Sequence, residues 1–224
     1  MSYSRIYGII GSLAALAAIG ADLVLQYNAN PAHLGALDYS YFLDVSQTRI
    51  YIGFYLGVIA ILIQIAGLWH VRQGLAPAGT RFSLPFFIIS GFILALGAVF
   101  HAHAALLGLV VKAQSQSVGD VAQVFNTLIS DFVSFRVTLI IILFVGLVIY
   151  SLWYALVVTF KPTAYPRFLA WFNPLLCLLL FGLLGVLIPV LRYVLLPTGI
   201  NLAHLLFFVI TTRFIRDNTS LHAS

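Results

Sequence analysis

Arg136-Val-Thr-Leu-Ile-Ile-Ile-Leu-Phe-Val-Gly-Leu-Val-Ile-Tyr-Ser-Leu-Trp-Tyr-Ala-Leu-Val-Val-Thr-Phe160 carries a charge only at its first position. The hydrocarbon core of a bilayer is about 30 Å thick, so a crossing helix needs about 20 mostly apolar residues. This stretch satisfies that requirement without help from its neighbours. Working outward, comparable runs occupy residues 6–28, 49–71, 83–111, 167–196 and 198–216. The third and fifth of the resulting six spans are long enough to tilt or to project beyond the hydrocarbon. Helices satisfy their own backbone groups in lipid. The expected fold class is therefore an all-α integral membrane bundle of about six transmembrane helices, with residues 1–224 as one domain.

Composition agrees: 62% of the 224 residues are hydrophobic and 8% are charged, and the mean hydropathy is +1.07. Soluble domains lie nearer half apolar and about a quarter charged. The net charge of +5 comes from basic residues scattered between apolar runs, which argues for membrane topology rather than nucleic-acid binding. One cysteine, Cys177, excludes a disulfide framework and a thiolate metal site. The first apolar stretch resembles a signal peptide as far as Ala21 but continues to Tyr27, so we read it as an uncleaved first helix. Lipid is thus the partner expected from composition, and nucleic acid is not.

The connections are less uniform. Residues 29–48 form a polar loop with Asp38, Asp44 and several tyrosines, and residues 118–132 suggest an interfacial helix between the third and fourth spans. Pro85, Pro166 and Pro174 fall near helix starts, whereas Pro189 falls inside the fifth span and predicts a kink. With the N-terminus in the cytoplasm, Arg5, Arg72, Arg81, Lys161, Arg167, Arg213 and Arg216 share the inner side. Arg49, Lys112, Arg136 and Arg192 share the outer side with most of the aspartates.

Ionisable groups inside spans are costly and mark sites, relays or structural pairs. On this topology Asp22, Arg49, His101, Arg136, Arg192, Asn201 and His204 converge on the outer half. Steps of three and four place Asp22 on a stripe with Gly8, Gly11, Ala15 and Ala18. They place Arg49 with Gly53, Gly57, Ala60, Gln64 and Gly67, and His101 with Gly97 and Gly108. Small stripes mark helix contacts, so these polar groups should face inward. His103 points elsewhere. His70, Tyr150, Trp153, Tyr154, Tyr165 and Trp171 read as an interfacial belt, and His33 and His222 lie in a loop and the tail.

Structural and functional readings of this cluster compete. Asp22 paired with Arg49, Arg136 or Arg192 would staple helices together, and His101 and His204 would then be core hydrogen-bonding residues. As a site, Asp22, His101 and His204 would be the acid–base groups, while Arg49, Arg136, Arg192 and Asn201 would hold and orient a polar head group. No cofactor is required. Zinc on Asp22, His101 and His204 is an alternative without HxxxH or HExxH support, and a haem between the two histidines is another. The leading expectation is binding, and chemical transformation, of a lipophilic small molecule with a polar head. A small-solute or proton-coupled transporter and a non-catalytic accessory subunit are the alternatives.

Several stretches carry a resemblance. Ser46-Gln-Thr-Arg-Ile-Tyr51 running to Gly67-Leu-Trp-His-Val71, Leu75-Ala-Pro-Ala-Gly79 and Tyr165-Pro-Arg-Phe-Leu-Ala-Trp-Phe-Asn-Pro174 resemble a family of uncharacterised bacterial multi-pass membrane proteins. Gly20-Ala-Asp22 and Asn201-Leu-Ala-His204 resemble it too. The resemblance covers nearly the whole chain and implies a helical bundle in a bacterial inner membrane, with no established activity. Seven-helix hydrolases related to alkaline ceramidases and adiponectin receptors offer only an analogy, since their late HxxxH pair is missing here.

Overall fold

Long apolar runs without interior breaks become long helices, and the computed structural model describes these over residues 3–28 and 39–215. Its α-helices are α1 (Tyr3–Gln26), α2 (Gln47–Ile63), α3 (Ile65–Leu75), α4 (Thr80–Ser115), α5 (Gly119–Phe160), α6 (Pro174–Leu187) and α7 (Pro189–Phe214). The described residues contain no strand. Helices α2 and α3 meet at Gln64 and together form one apolar segment, Gln47–Ala78. With α1, α4, α5 and α7 it makes five segments long and apolar enough to cross a membrane, while the 14-residue α6 is shorter. The fold is an all-α helical bundle. Asp38, Arg216, His33 and His222 lie outside the described residues.

Small residues set the helix contacts. A Cβ at Gly11 would run into the Gly67 backbone, so α1 and α3 touch main chain to main chain. A Cβ on Gly53 would strike Leu25, bringing α2 equally close to α1. Helix α1 packs against α2, α3 and α7, α4 packs against α2, α3 and α5, and α6 lies along α7. The main core joins Leu68, Val71, Phe86, Leu147, Tyr150, Tyr154, Phe207 and Phe208.

Three expectations change. The segment at 118–132 is helical but not a separate interfacial helix, because it continues without interruption into the 42-residue α5. No glycine or proline lies between Phe132 and Arg136, so nothing stops the backbone ladder. At about 1.5 Å per residue α5 extends roughly 63 Å, twice the hydrocarbon thickness. The second change concerns prolines. Pro189 does not kink a span over 167–196 but opens α7 at its first turn, where a missing N–H removes no bond. Residues Arg167–Phe172 form a 3-10 helix outside α6. Third, α7 runs through Pro197, so the boundary expected between 196 and 198 is absent.

Candidate functional site

Helix α2 prepares the site by what it lacks. Gly57 presents bare backbone, and a Cβ there would meet three atoms of the His101 ring. The imidazole on α4 therefore lies flat against α2, with Nε2 2.8 Å from the Gly53 carbonyl oxygen. A carbonyl only accepts, so Nε2 carries a hydrogen and donates it. Nδ1 of the same ring lies 3.2 Å from Asp22 Oδ1 on α1. It is either the second N–H of an imidazolium facing a carboxylate, or the lone pair of a neutral ring facing a carboxylic acid. In both forms one proton lies between Asp22 and His101.

The second carboxyl oxygen is occupied as well. Asn201 Nδ2 donates to Asp22 Oδ2 at 2.7 Å, and Asn201 Oδ1 accepts from Gln64 Nε2 at 2.9 Å. Asp22, His101, Asn201 and Gln64, from four helical segments, thus form one buried chain of polar groups. One turn beyond Asn201 on α7, His204 Nε2 and the Tyr150 hydroxyl share a hydrogen bond of 2.8 Å. Tyr150 is only 1% exposed.

Apart from Gln64, these groups open onto a cavity of ≈ 390 Å³ between α4–α5 and α6–α7. Asp22, Gln26, His101, Arg136, Tyr150, Asn201 and His204 contribute its polar wall, and Ile61, Ile93, Leu143, Leu147, Leu178 and Leu195 its apolar wall. Its size falls within the roughly 300–1,000 Å³ range of small-molecule sites.

The arginines separate. Arg136 lines the cavity, its guanidinium carbon 4.2 Å above the Phe100 ring and 5.6 Å from the Tyr39 ring, and its Nη1 has no hydrogen-bond partner among the described residues. Arg49 instead caps α1. Its Nε donates to Val24 O at 3.0 Å and its Nη2 to Leu23 O and Tyr27 O at 3.3 and 2.9 Å. Those carbonyls lie at the negative end of the helix, where a cation is favoured, and Leu23 O accepts from the Tyr27 N–H as well. Arg192 is exposed in the first turn of α7, nine residues before Asn201 and so about 14 Å away along the axis. The partners of Asp22 are accordingly His101 and Asn201 rather than an arginine.

Asn201 and His204 also sit deeper than the expected first two turns of a last span, because α7 starts at Pro189 and places Asn201 at its middle. The chain belongs to the Family of unknown function (DUF6796). That family's model matches residues 1–218. No curated protein and no solved structure matches the chain. For this member of DUF6796 the geometry is therefore the guide to chemistry.

Two participants were not expected. Gln64 ends the small-residue stripe of α2 but is not among the residues that the sequence assigns to the outer-half cluster, and the sequence reads Tyr150 as part of an interfacial belt. Its position offered a signal, since Tyr150 falls well inside the 136–160 run whereas belt residues sit at span ends. His70, another expected belt residue, is buried beside Ser4, with Nδ1 2.8 Å from the Ser4 carbonyl. His103 stands apart from the cavity, its ring 4.9 Å from Phe132. Among the described residues no three His, Cys, Asp or Glu side chains gather to hold a metal ion, and the ligands of the zinc alternative are instead engaged with Gly53, Asn201 and Tyr150.

Proposed function

We propose that this protein is a six-crossing membrane protein that binds a lipophilic small molecule with a polar head beside Asp22, His101 and Asn201. The observation that carries the reading is the cavity. A bundle whose polar groups served only as helix staples would be filled around them, yet ≈ 390 Å³ of space reaches Asp22, His101, Asn201 and His204 together. The proton shared by Asp22 and His101 is within reach of a head group in that space, so the pair is suited to proton exchange with the ligand. Tyr150 and His204 border the deeper end.

Topology follows from charge. Arg5 at the start of α1, Arg72 on α3, Arg81 on α4, Lys161 after α5 and Arg213 on α7 gather at one end. There Arg5 Nη2 donates to Ile215 O at 3.3 Å, and Lys161 Nζ lies 5.1 Å from the Phe82 ring. Asp44 and Asp120 belong to the opposite end, where Lys112 Nζ donates to Leu43 O at 3.1 Å. The cationic end is cytoplasmic by the positive-inside rule. Both termini are then inside a bacterial inner membrane, with α6 and α7 forming the last two crossings.

The test is recovery of a ligand. Gly182 lines the cavity, and a Cβ there meets nothing within 4 Å. Mass spectrometry of solvent extracts should find a lipophilic compound bound to the purified wild-type protein and depleted from a folded Gly182→Leu variant. Identical extracts from the two would overturn the proposal.

A further inference from the structure

Among the described residues Arg136 has no counter-charge. It is buried, its face is covered by Phe100, and its Nη1 has no acceptor among the described residues. The carboxyl that shares its cavity, Asp22, is already engaged by His101 and Asn201. Because Asp22 and His101 hold one proton between them, that pair is neutral overall in either form. The cavity therefore carries a net charge of one, from Arg136. A buried cation without an anion is strongly disfavoured, so the missing counter-charge is expected from the ligand.

The cavity also shows how such a ligand arrives. Its lining includes Ile140 and Phe144 on α5 and Leu196 and Ile200 on α7, all exposed on the apolar outer surface of the bundle. The opening between α5 and α6–α7 thus faces hydrocarbon rather than water. On α5 the lining extends from Arg136 to Tyr150, fourteen residues or about 21 Å along the axis, making an elongated slot with its cation at one end.

From these observations we infer that the ligand is a single-chain amphiphile with a monoanionic carboxylate head. The head accepts from Arg136 beside Asp22 and His101, and the tail runs toward Leu147 and Leu178 after entering sideways from the bilayer. One cation balances one negative charge, so a doubly charged phosphate would leave an excess beside Asp22. The inference rests on the cavity reading above, and its test separates the two.

Full-length protein in nanodiscs is titrated with radiolabelled dodecanoate, with dodecan-1-ol and dodecyl phosphate as competitors. Saturable dodecanoate binding is expected, with dodecan-1-ol and dodecyl phosphate each weaker by about tenfold or more, which corresponds to about 1.4 kcal/mol. Arg136→Gln should remove that preference for the acid over the alcohol, and Arg136→Lys should keep most of it. Gly182→Leu should weaken acid and alcohol alike. Equal wild-type affinity for acid and alcohol would overturn the carboxylate inference while leaving the cavity reading in place. Tighter binding of the phosphate would overturn the monoanionic head. No saturable binding of any of the three would overturn this inference, and identical wild-type and Gly182→Leu extracts would separately remove the cavity reading.

Discussion

Replacing Gly57 with alanine adds one methyl group where the His101 imidazole lies against α2. The three atoms nearest to that new Cβ all belong to the ring, so the imidazole has to withdraw. Withdrawal breaks the bond to the Gly53 carbonyl and separates Nδ1 from Asp22. Hydrogen bonds to charged groups contribute about 1.5–3 kcal/mol, and breaking a buried pair costs about 3–5 kcal/mol. Alanine returns about 1 kcal/mol through its better helix propensity, leaving a net loss of roughly 2–4 kcal/mol. For a chain of this size that is a drop of about 4–16 °C in midpoint, at roughly 2–4 °C per kcal/mol. Gly20→Ala is the control, since a Cβ there meets nothing within 4 Å. It should leave the midpoint unchanged or raise it by a few degrees, about the propensity gain alone. The lone, buried Cys177 provides the assay, as a thiol-reactive fluorophore labels it only on unfolding. A Gly57→Ala protein that unfolds at or above the wild-type temperature would refute the packing argument for the Asp22–His101 pair.

Three further outcomes are expected. Arg49→Gln should loosen the end of α1, seen as faster hydrogen–deuterium exchange around Leu23–Tyr27 with α7 unaffected; uniform exchange changes would contradict the capping role. Burial pushes the Tyr41 hydroxyl up to about 12, against the pull of Arg136. An unfolded tyrosine ionises near pH 10, so the folded protein holds more protons between about pH 10 and 12 and stability falls as pH rises through that window. Tyr41→Phe should make that fall shallower, and an unchanged slope would exclude Tyr41 as its source. Finally, Asp120→Cys and Lys161→Cys should react with an impermeant thiol reagent from opposite faces of the membrane, and reaction from one face would overturn the topology.

Much of the fold is legible because lipid simplifies the problem. A segment such as 136–160 has one low-energy choice in hydrocarbon, a helix with all its backbone bonds made internally, and length and hydropathy suffice to find it. Small-residue stripes were informative for a similar reason: Gly53 and Gly57 mark where α2 allows another helix to approach. The prolines were not legible in the same way. Pro189 and Pro197 present the same missing donor, and which one begins a helix depends on how α6 folds back along α7. That one difference shifted Asn201 and His204 from a span end to the middle of α7 and removed Arg192 from the cluster.

The sequence by itself determined that this chain is a helical bundle suited to lipid, that Asp22 and His101 lie on small-residue stripes, and that Asn201 and His204 are polar groups inside an apolar run. Periodicity along one helix identifies a face but not the partner opposite it. Only the tertiary structure decided that Asp22 faces His101 and Asn201 rather than an arginine, that Arg49 completes a helix end, and that Arg136 is the cation in the cavity. Those choices depend on the rotation and depth of each helix against its neighbours. Both are set by close contacts such as Gly57 against His101 and Gly11 against Gly67, which join residues far apart in the chain.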